Sequence, residues 1–165
     1  MRIDDSQLKP FILDGALIPA KDLKRAEAEA TATGQSLHEA ILNLKLMTET
    51  ELRKLEAYVL GIPFVDLTKE AIDPKVLYLI PEPIARKSNV VAFKRSGRDL
   101  QVAMLDPDDI QTIEFIKKTA NLKVLPRLTN PESIAAALKQ YQKSLEAEFG
   151  EIIKREAGEI QIVGE

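Results

Sequence analysis

The chain has no cysteine and only one histidine among its 165 residues. Disulfide bonds and thiolate chemistry are therefore excluded, and so are zinc sites built on cysteine. The single histidine, His38, has no cysteine and no assigned nucleophile with which to form a catalytic triad. There is also no second histidine for a histidine-rich metal site. We therefore expect no catalytic residue, no metal and no cofactor in this chain.

Long apolar runs and a bias of charge are also missing. No segment approaches the roughly 18 uninterrupted apolar residues of a membrane span, and the first residues, MRIDDSQLK, are not typical of a secretory signal. The net charge is −3, from 23 basic and 26 acidic side chains, and neither half of the chain is polarised. We expect a cytoplasmic protein that binds no nucleic acid and does not insert directly into a membrane.

Glycine is sparse and scattered, which bears on nucleotide chemistry. The seven glycines stand at positions 15, 34, 61, 97, 150, 158 and 164, too far apart for a GxxxxGK[ST] or GxGxxG loop. Without such a loop, ATP would have no cradle of backbone amides for its phosphates. We expect this chain by itself to hydrolyse no nucleotide.

One apolar pattern occurs twice in residues 1–60, with an offset of 29 positions and no gap, as from Leu8 to Leu37. Self-similarity at a fixed offset predicts one supersecondary unit used twice, here two helical hairpins that pack against each other. Capping boxes at Ser36 and Thr48 mark helix starts in the second copy. The matching sets are Leu8, Ile12, Leu13, Leu17, Ile18, Leu23 and Ala26, then Leu37, Ile41, Leu42, Leu46, Met47, Leu52 and Leu55.

In residues 61–149, sequence patterns typical of short strands alternate with patterns typical of helices. Residues 150–165 are predicted to be a linker or tail without a fold of its own. The predicted fold class is α+β: an N-terminal tandem repeat of four short helices, then a small helix-covered β-sheet domain and a long C-terminal helix. The predicted order is a strand at 62–67, helices at 73–80 and 81–87, a hairpin of 90–94 and 100–105, a helix from 106, a strand at 122–128 and a helix from 130 to 149.

Some charged residues allow a functional and a structural interpretation. Asp106, Asp108 and Asp109 could coordinate Mg²⁺ in a small enzyme, but acids beside Pro107 are more typical of a helix N-terminus. His38 is interpreted as an exposed residue near the start of a helix rather than a general base. A small basic cluster is interpreted as the solvated tip of the hairpin, without the aromatic residues of a nucleic-acid platform; it comprises Lys94, Arg95 and Arg98.

The stretches LGIPFVDL at 60–67 and VAMLDPDD at 102–109 follow the tandem repeat in that order. This order resembles the N-terminal region of the type II secretion and type IV pilus assembly ATPases, over residues 5 to about 145. The resemblance implies that the chain is a piece of a hexameric motor, cut before its catalytic domain, and not itself an enzyme. It also implies partners: the cytoplasmic parts of inner-membrane proteins of the machine, which hold it at the membrane periphery, and the remaining motor domains. Pro81, Ala85, Pro126 and the helix from Ile134 to Tyr141 fit the same pattern.

In one branch of that family, both repeat copies bind cyclic di-GMP through an Arg, two Gly and a final Gln. Here those residue types are replaced in both copies, although the apolar skeleton is kept. The leading hypothesis is therefore a docking and regulatory domain that binds partner proteins, and the alternative is a cyclic di-GMP receptor. The replaced positions are Gln7, Lys9, Ala16 and Ala30 in the first copy, and Ser36, His38, Lys45 and Val59 in the second.

Overall fold

The computed structural model describes the backbone of residues 5–163, and their side chains except at 144–148, 151 and 154–163. Four helices form the N-terminal part. The capping box predicted at Thr48 is complete, whereas at Ser36 the structure shows the bond from the Glu39 amide to the hydroxyl without the reciprocal bond of a capping box. The helices are α1 (Asp5–Asp14), α2 (Ala20–Thr33), α3 (Leu37–Asn43) and α4 (Glu49–Leu60).

The two hairpins, α1–α2 and α3–α4, repeat the same structure. Helices α2 and α4 begin 29 residues apart, at Ala20 and Glu49, and the matched residues Leu8 and Leu37 are both buried. Helix α1 packs against α4, and α2 packs against α3, which is the exchange expected of two units related by a pseudo-twofold axis. The predicted repeat is therefore confirmed, and its buried leucines and isoleucines form one core.

Two matched positions differ in burial between the copies. Leu13 and Leu17 are exposed, whereas their counterparts Leu42 and Leu46 pack partly against the helical core. A repeated apolar pattern therefore does not give equal burial in the two copies at these positions.

The α/β part is a three-stranded sheet with helices around it, which confirms the predicted fold class. The strand order is β1-β2-β3, with β1 and β2 antiparallel and β2 and β3 parallel. Gly97, at φ 61°, makes the tight turn between the first two strands. The elements are α5 (Pro74–Leu77), α6 (Glu82–Ser88), β1 (Val90–Ser96), β2 (Asp99–Met104), α7 (Ile110–Ala120), β3 (Lys123–Leu128) and α8 (Pro131–Val163).

A second core joins the sheet to α8. Tyr141 is fully buried, and its hydroxyl donates to the carbonyls of Leu77 (3.0 Å) and Ile80 (2.6 Å), which anchors α8 beside the loop after α5. Burial raises the pKa of the Tyr141 phenol, so it stays a donor at every physiological pH. This core is distinct from the one inside the helical repeat.

The predicted strand at 62–67 is largely wrong. The structure has an isolated bridge there, in which the Val65 amide donates to the Leu128 carbonyl (2.9 Å) and the Leu128 amide to the Pro63 carbonyl (3.0 Å). Proline has no amide hydrogen for a longer ladder. The Leu67 amide then turns away to the Ser133 hydroxyl at 2.9 Å, so the segment leaves the sheet after one bridge.

Helix α8 continues through residues that the sequence analysis assigned to a tail. It reaches Val163, so the residues after Gly150 continue the same helix up to 163. A glycine inside a helix costs only about 1 kcal/mol relative to alanine, and the Glu, Lys and Ala residues around it favour helix. The role of this stretch as a linker stays a prediction, and residues 164–165 lie outside the described part. No helix between 5 and 163 is long and apolar enough to cross a membrane.

Candidate functional site

Both helical hairpins turn through a residue in the left-handed region. Ala16 has φ 50° and Lys45 has φ 56°, and the two are 29 positions apart. The amide of the next residue reaches back five residues to a carbonyl, as in a Schellman helix end; the two bonds are Leu17 N to Ile12 O (3.2 Å) and Leu46 N to Ile41 O (3.1 Å). The backbone thus keeps a conformation that suits glycine, at positions where glycine is replaced.

A cation and a carboxylate pair at equivalent places in both hairpins. Lys9 Nζ lies 3.2 Å from Glu27 Oε1, and in the second copy His38 Nδ1 bonds to Glu56 Oε1. Both members of the pair recur at the 29-residue offset. Two of the replaced ligand positions, Lys9 and His38, are therefore occupied by side chains whose charge is balanced within their own hairpin.

His38 is half-buried, with 23% of its side chain exposed, so the expectation of an exposed residue is wrong. Burial disfavours the charged ring and is the largest single influence on it. The hydrogen bond and charge of Glu56, with the charge of Glu49 3.7 Å away, together outweigh burial and the repulsion of Arg53. The pKa of His38 is therefore raised above its ordinary value of 6.5, and the imidazolium form bridges two carboxylates.

Arg53 joins the second hairpin to the sheet. Its guanidinium donates to the carbonyls of Leu105 (3.0 Å) and Thr129 (3.3 Å), which directly follow β2 and β3. Asn130 Nδ2 donates to Thr50 Oγ1 at 2.9 Å and makes a second link. These bonds orient α4 across the ends of the two parallel strands.

A groove of about 410 Å³ lies between the second hairpin and the α/β part. Carboxylates outnumber cations along its wall, so its field favours positive charge over phosphate. The charged side chains that line it are Asp5, Glu39, Glu49, Glu56 and Asp106, with His38 and Arg53.

The replaced ligand positions do not form one cluster. Ser36 and His38 line the groove, and the Ser36 hydroxyl accepts from the Glu39 amide at 3.2 Å as a helix cap. Ala30 is buried in the helical core and Val59 is half-buried. The exposed members are Gln7, Ala16 and Lys45, and Lys9 is partly exposed.

Four charged residues of this site were not singled out from the sequence: Glu27, Glu49, Arg53 and Glu56. A signal was present, because Glu27 and Glu56 recur at the same offset as the apolar set. Comparing the polar positions of the two copies, as well as the apolar ones, would have found this pair. The contacts of Arg53 with the sheet had no comparable signal.

The aspartates before α7 act as structural groups. Asp109 Oδ1 accepts from the Thr112 amide (3.2 Å) and caps the helix, and Asp106 Oδ1 accepts from the Asp108 amide (3.0 Å). The helix begins at Ile110, later than predicted, because these turns come first. Within the part of the chain that is described, no group of three His, Asp or Glu side chains could hold a metal ion. The basic hairpin tip is exposed, as predicted; it comprises Lys94, Arg95 and Arg98.

Two pseudosymmetric helical hairpins joined to a small three-stranded sheet define an α+β domain built on a tandem repeat. The MshEN domain model matches residues 60–148 of the sequence. The chain belongs to the MshEN domain family.

Curated relatives are type IV pilus assembly ATPases. The chain is 24% identical over 149 residues to PilB of Myxococcus xanthus, covering 90% of this chain and 26% of that protein. It is 28% identical over 147 residues to PilB of Thermus thermophilus, covering 88% of this chain and 16% of that protein. The chain thus spans about a quarter or less of the length of these relatives.

Solved structures share the fold. A structure described as MshE with cdg has a TM-score of 0.69 at 24% identity, covering 81% of this chain and 97% of that chain. The N-terminal domain of XpsE has a TM-score of 0.58 at 18% identity, covering 85% and 97%. The resemblance to the N-terminal region of pilus assembly and secretion ATPases is confirmed.

Proposed function

We propose that this chain is a non-catalytic docking and regulatory domain of a type IV pilus assembly or type II secretion motor ATPase. Its partners are the cytoplasmic parts of inner-membrane proteins of the assembly machine and the remaining domains of the motor. It acts in the cytoplasm and reaches the membrane periphery through those partners. The chemistry of ATP hydrolysis belongs to the motor domains.

One observation carries this proposal: the equivalent pairs Lys9–Glu27 and His38–Glu56. Each puts a carboxylate beside a position where the cyclic di-GMP repeat leaves room for the ligand. A phosphate approaching either site would meet a bulkier side chain and a glutamate in place of an arginine fork. The apolar core behind these positions is intact, which favours a repeat kept for its surfaces and not for a nucleotide.

The experiment is a pull-down with the separate cytoplasmic parts of the pilus or secretion inner-membrane proteins as bait. We expect at least one to retain the chain. The matched control is Ile12→Asp, which places a charge in the helical core and should abolish retention by unfolding the repeat. Retention by none of the baits would contradict the proposal.

The second candidate is a cyclic di-GMP receptor, and one observation favours it. Ala16 and Lys45 keep the left-handed backbone that glycine adopts readily. The structural neighbour MshE was solved with cdg, the abbreviation of cyclic di-GMP. Both copies thus keep the turn conformation of the cyclic di-GMP repeat, but they lack the side chains that would bind the dinucleotide.

Isothermal calorimetry with cyclic di-GMP separates the two candidates. We expect no heat of binding for the wild type, and saturable heat after four of the eight replaced ligand positions are restored. The restoring substitutions are Gln7→Arg, Lys9→Gly, Ser36→Arg and His38→Gly. A control with Gln111→Arg and Gln142→Arg adds the same two arginines at exposed positions elsewhere. Saturation of the wild type at low micromolar ligand would favour the receptor.

A further inference from the structure

The second hairpin shows how one face of this repeat docks onto a protein surface. Arg53, whose side chain is 15% exposed, donates to two main-chain carbonyls at the sheet edge, and Thr50 accepts from Asn130. Leu42 lines the groove beside Leu105. A basic residue and a neighbouring polar residue of α4 therefore form the internal interface, beside a groove that a leucine of the same hairpin lines.

The first hairpin carries the matching face without an internal partner. At the 29-residue offset, Lys24 corresponds to Arg53 and Leu13 to Leu42. Lys21 corresponds to Thr50, and the adjacent Arg25 is also basic. All four residues of the first copy are exposed, Leu13 to 45%. We call this set the first-repeat face: Leu13, Lys21, Lys24 and Arg25.

The cations of the first-repeat face are unpaired within the described structure. Lys21, Lys24 and Arg25 lie three and four positions apart, so they project from one side of α2. Their side chains have no hydrogen bond or ion pair with any described residue, in contrast to Lys9 and Arg53. Asp22 is the one acid among the four charged residues of positions 21–25, which leaves a net positive surface on this side of α2.

We propose that the first-repeat face is a docking surface for an acidic segment of a partner protein. Carboxylates of that segment meet the three cations, and an apolar side chain of the partner covers Leu13. The two copies then serve two partners: one is the α/β part of the same chain and the other is a separate protein. This inference rests on the proposed docking function and names the partner's chemistry.

The test titrates the whole chain against a labelled twelve-residue peptide of Glu, Asp and Leu, with fluorescence anisotropy as the readout. We expect saturable binding that weakens as NaCl rises, because exposed charge pairs are screened. The charge reversal Lys21→Glu, Lys24→Glu and Arg25→Glu should weaken binding by about tenfold or more. Leu13→Ser alone should weaken it by about threefold, because less apolar area is covered.

Matched variants control for total charge and for exposed apolar area. The triple variant Lys69→Glu, Lys87→Glu and Lys118→Glu changes the net charge equally at exposed sites elsewhere. Phe115→Ser removes an apolar side chain that is also 45% exposed. Both controls should bind the peptide as the wild type does, and circular dichroism should show every variant folded. Equal weakening in both triple variants would overturn the inference, as would no binding of the peptide by the wild type.

Three further arms decide between kinds of partner. The same peptide with amides in place of carboxylates should not bind. Tighter binding of phosphatidylserine vesicles or duplex DNA than of the peptide, lost in the Lys21, Lys24 and Arg25 variant, would overturn the inference in favour of a membrane or nucleic acid. The pull-down reports on the proposed function separately. If an inner-membrane bait retains the wild type and this triple variant equally, the proposed docking function is supported, and the assignment of the first-repeat face as the docking surface is contradicted.

Discussion

His38 is a residue whose charge is governed by the carboxylates around it. Its ring lies between Glu56 and Glu49, and its pKa is raised because these carboxylates outweigh the cost of burial. A group whose pKa is higher in the folded than in the unfolded chain stabilises the fold when it is protonated. Its contribution is fully present below about pH 6.5, the ordinary pKa of histidine, and is lost as pH rises through the raised value.

The substitution His38→Gln should remove this pH dependence. We expect the free energy of unfolding of the wild type to fall, relative to the variant, as pH rises above about 6.5. Urea denaturation at a series of pH values measures both curves. Glu56→Gln is the companion variant, and it should reduce the pH dependence while keeping the histidine. Parallel profiles for the wild type and His38→Gln would contradict the assigned pairing.

The left-handed residues make a second prediction at this scale. Ala16→Gly should raise the free energy of unfolding by about 1 kcal/mol, because glycine adopts φ 50° without a steric penalty. Ala28→Gly, at an exposed position inside α2, should lower it by about 1 kcal/mol. In thermal or urea denaturation, the two variants should change the free energy of unfolding in opposite directions if the turn has the described backbone. A loss of stability in both would count against that backbone.

At the scale of elements, α4 is the helix that connects the two halves. Its capping box starts it at Thr48, its buried Leu52 packs in the helical core, and Arg53 on the next position reaches the sheet. Adjacent residues on a helix point about 100° apart, so α4 can contact the helical core through one residue and the sheet through the next. The helix α2 has the same design, with Leu23 buried and Lys24 exposed, but no sheet beside it.

Substituting Arg53→Met should destabilise the chain by about 1–3 kcal/mol. The carbonyls of Leu105 and Thr129 would lose their charged donor, and an acceptor left without a partner costs about that much. The control is Lys24→Met at the equivalent exposed position, which should change stability by about 0.5 kcal/mol or less. Equal effects of the two substitutions in urea denaturation would mean that the contact with the sheet contributes little.

At the scale of the whole molecule, two hydrophobic cores are joined by a polar interface. One core lies among the four N-terminal helices and the other between the sheet and α8. The contact between them includes α4 against β3, with the bonds of Arg53 and Asn130. Such an interface allows the two parts to respond separately to local destabilisation.

The substitution Leu8→Ala tests this division. It should cost about 2–5 kcal/mol, as should Leu37→Ala, because both leucines are buried at equivalent places. Native-state hydrogen exchange should show faster exchange across α1–α4 and little change in β1 and β2. Val102→Ala in the sheet core is the reciprocal control. Equal acceleration in both parts would show that the cores unfold as one unit.

The sequence by itself determined the repeat, its register, the capped helix starts, the β-hairpin and the family. These features depend on local periodicity and on side chains within four residues of the backbone groups they cap, as with Thr48 and Glu51. Only the tertiary structure decided which of two similar hairpins faces the sheet, and so why Arg53 is bonded to main-chain carbonyls while Lys24 is exposed. That choice depends on contacts such as the one between Arg53 and Leu105, 52 residues apart, and no local pattern distinguishes one hairpin from the other.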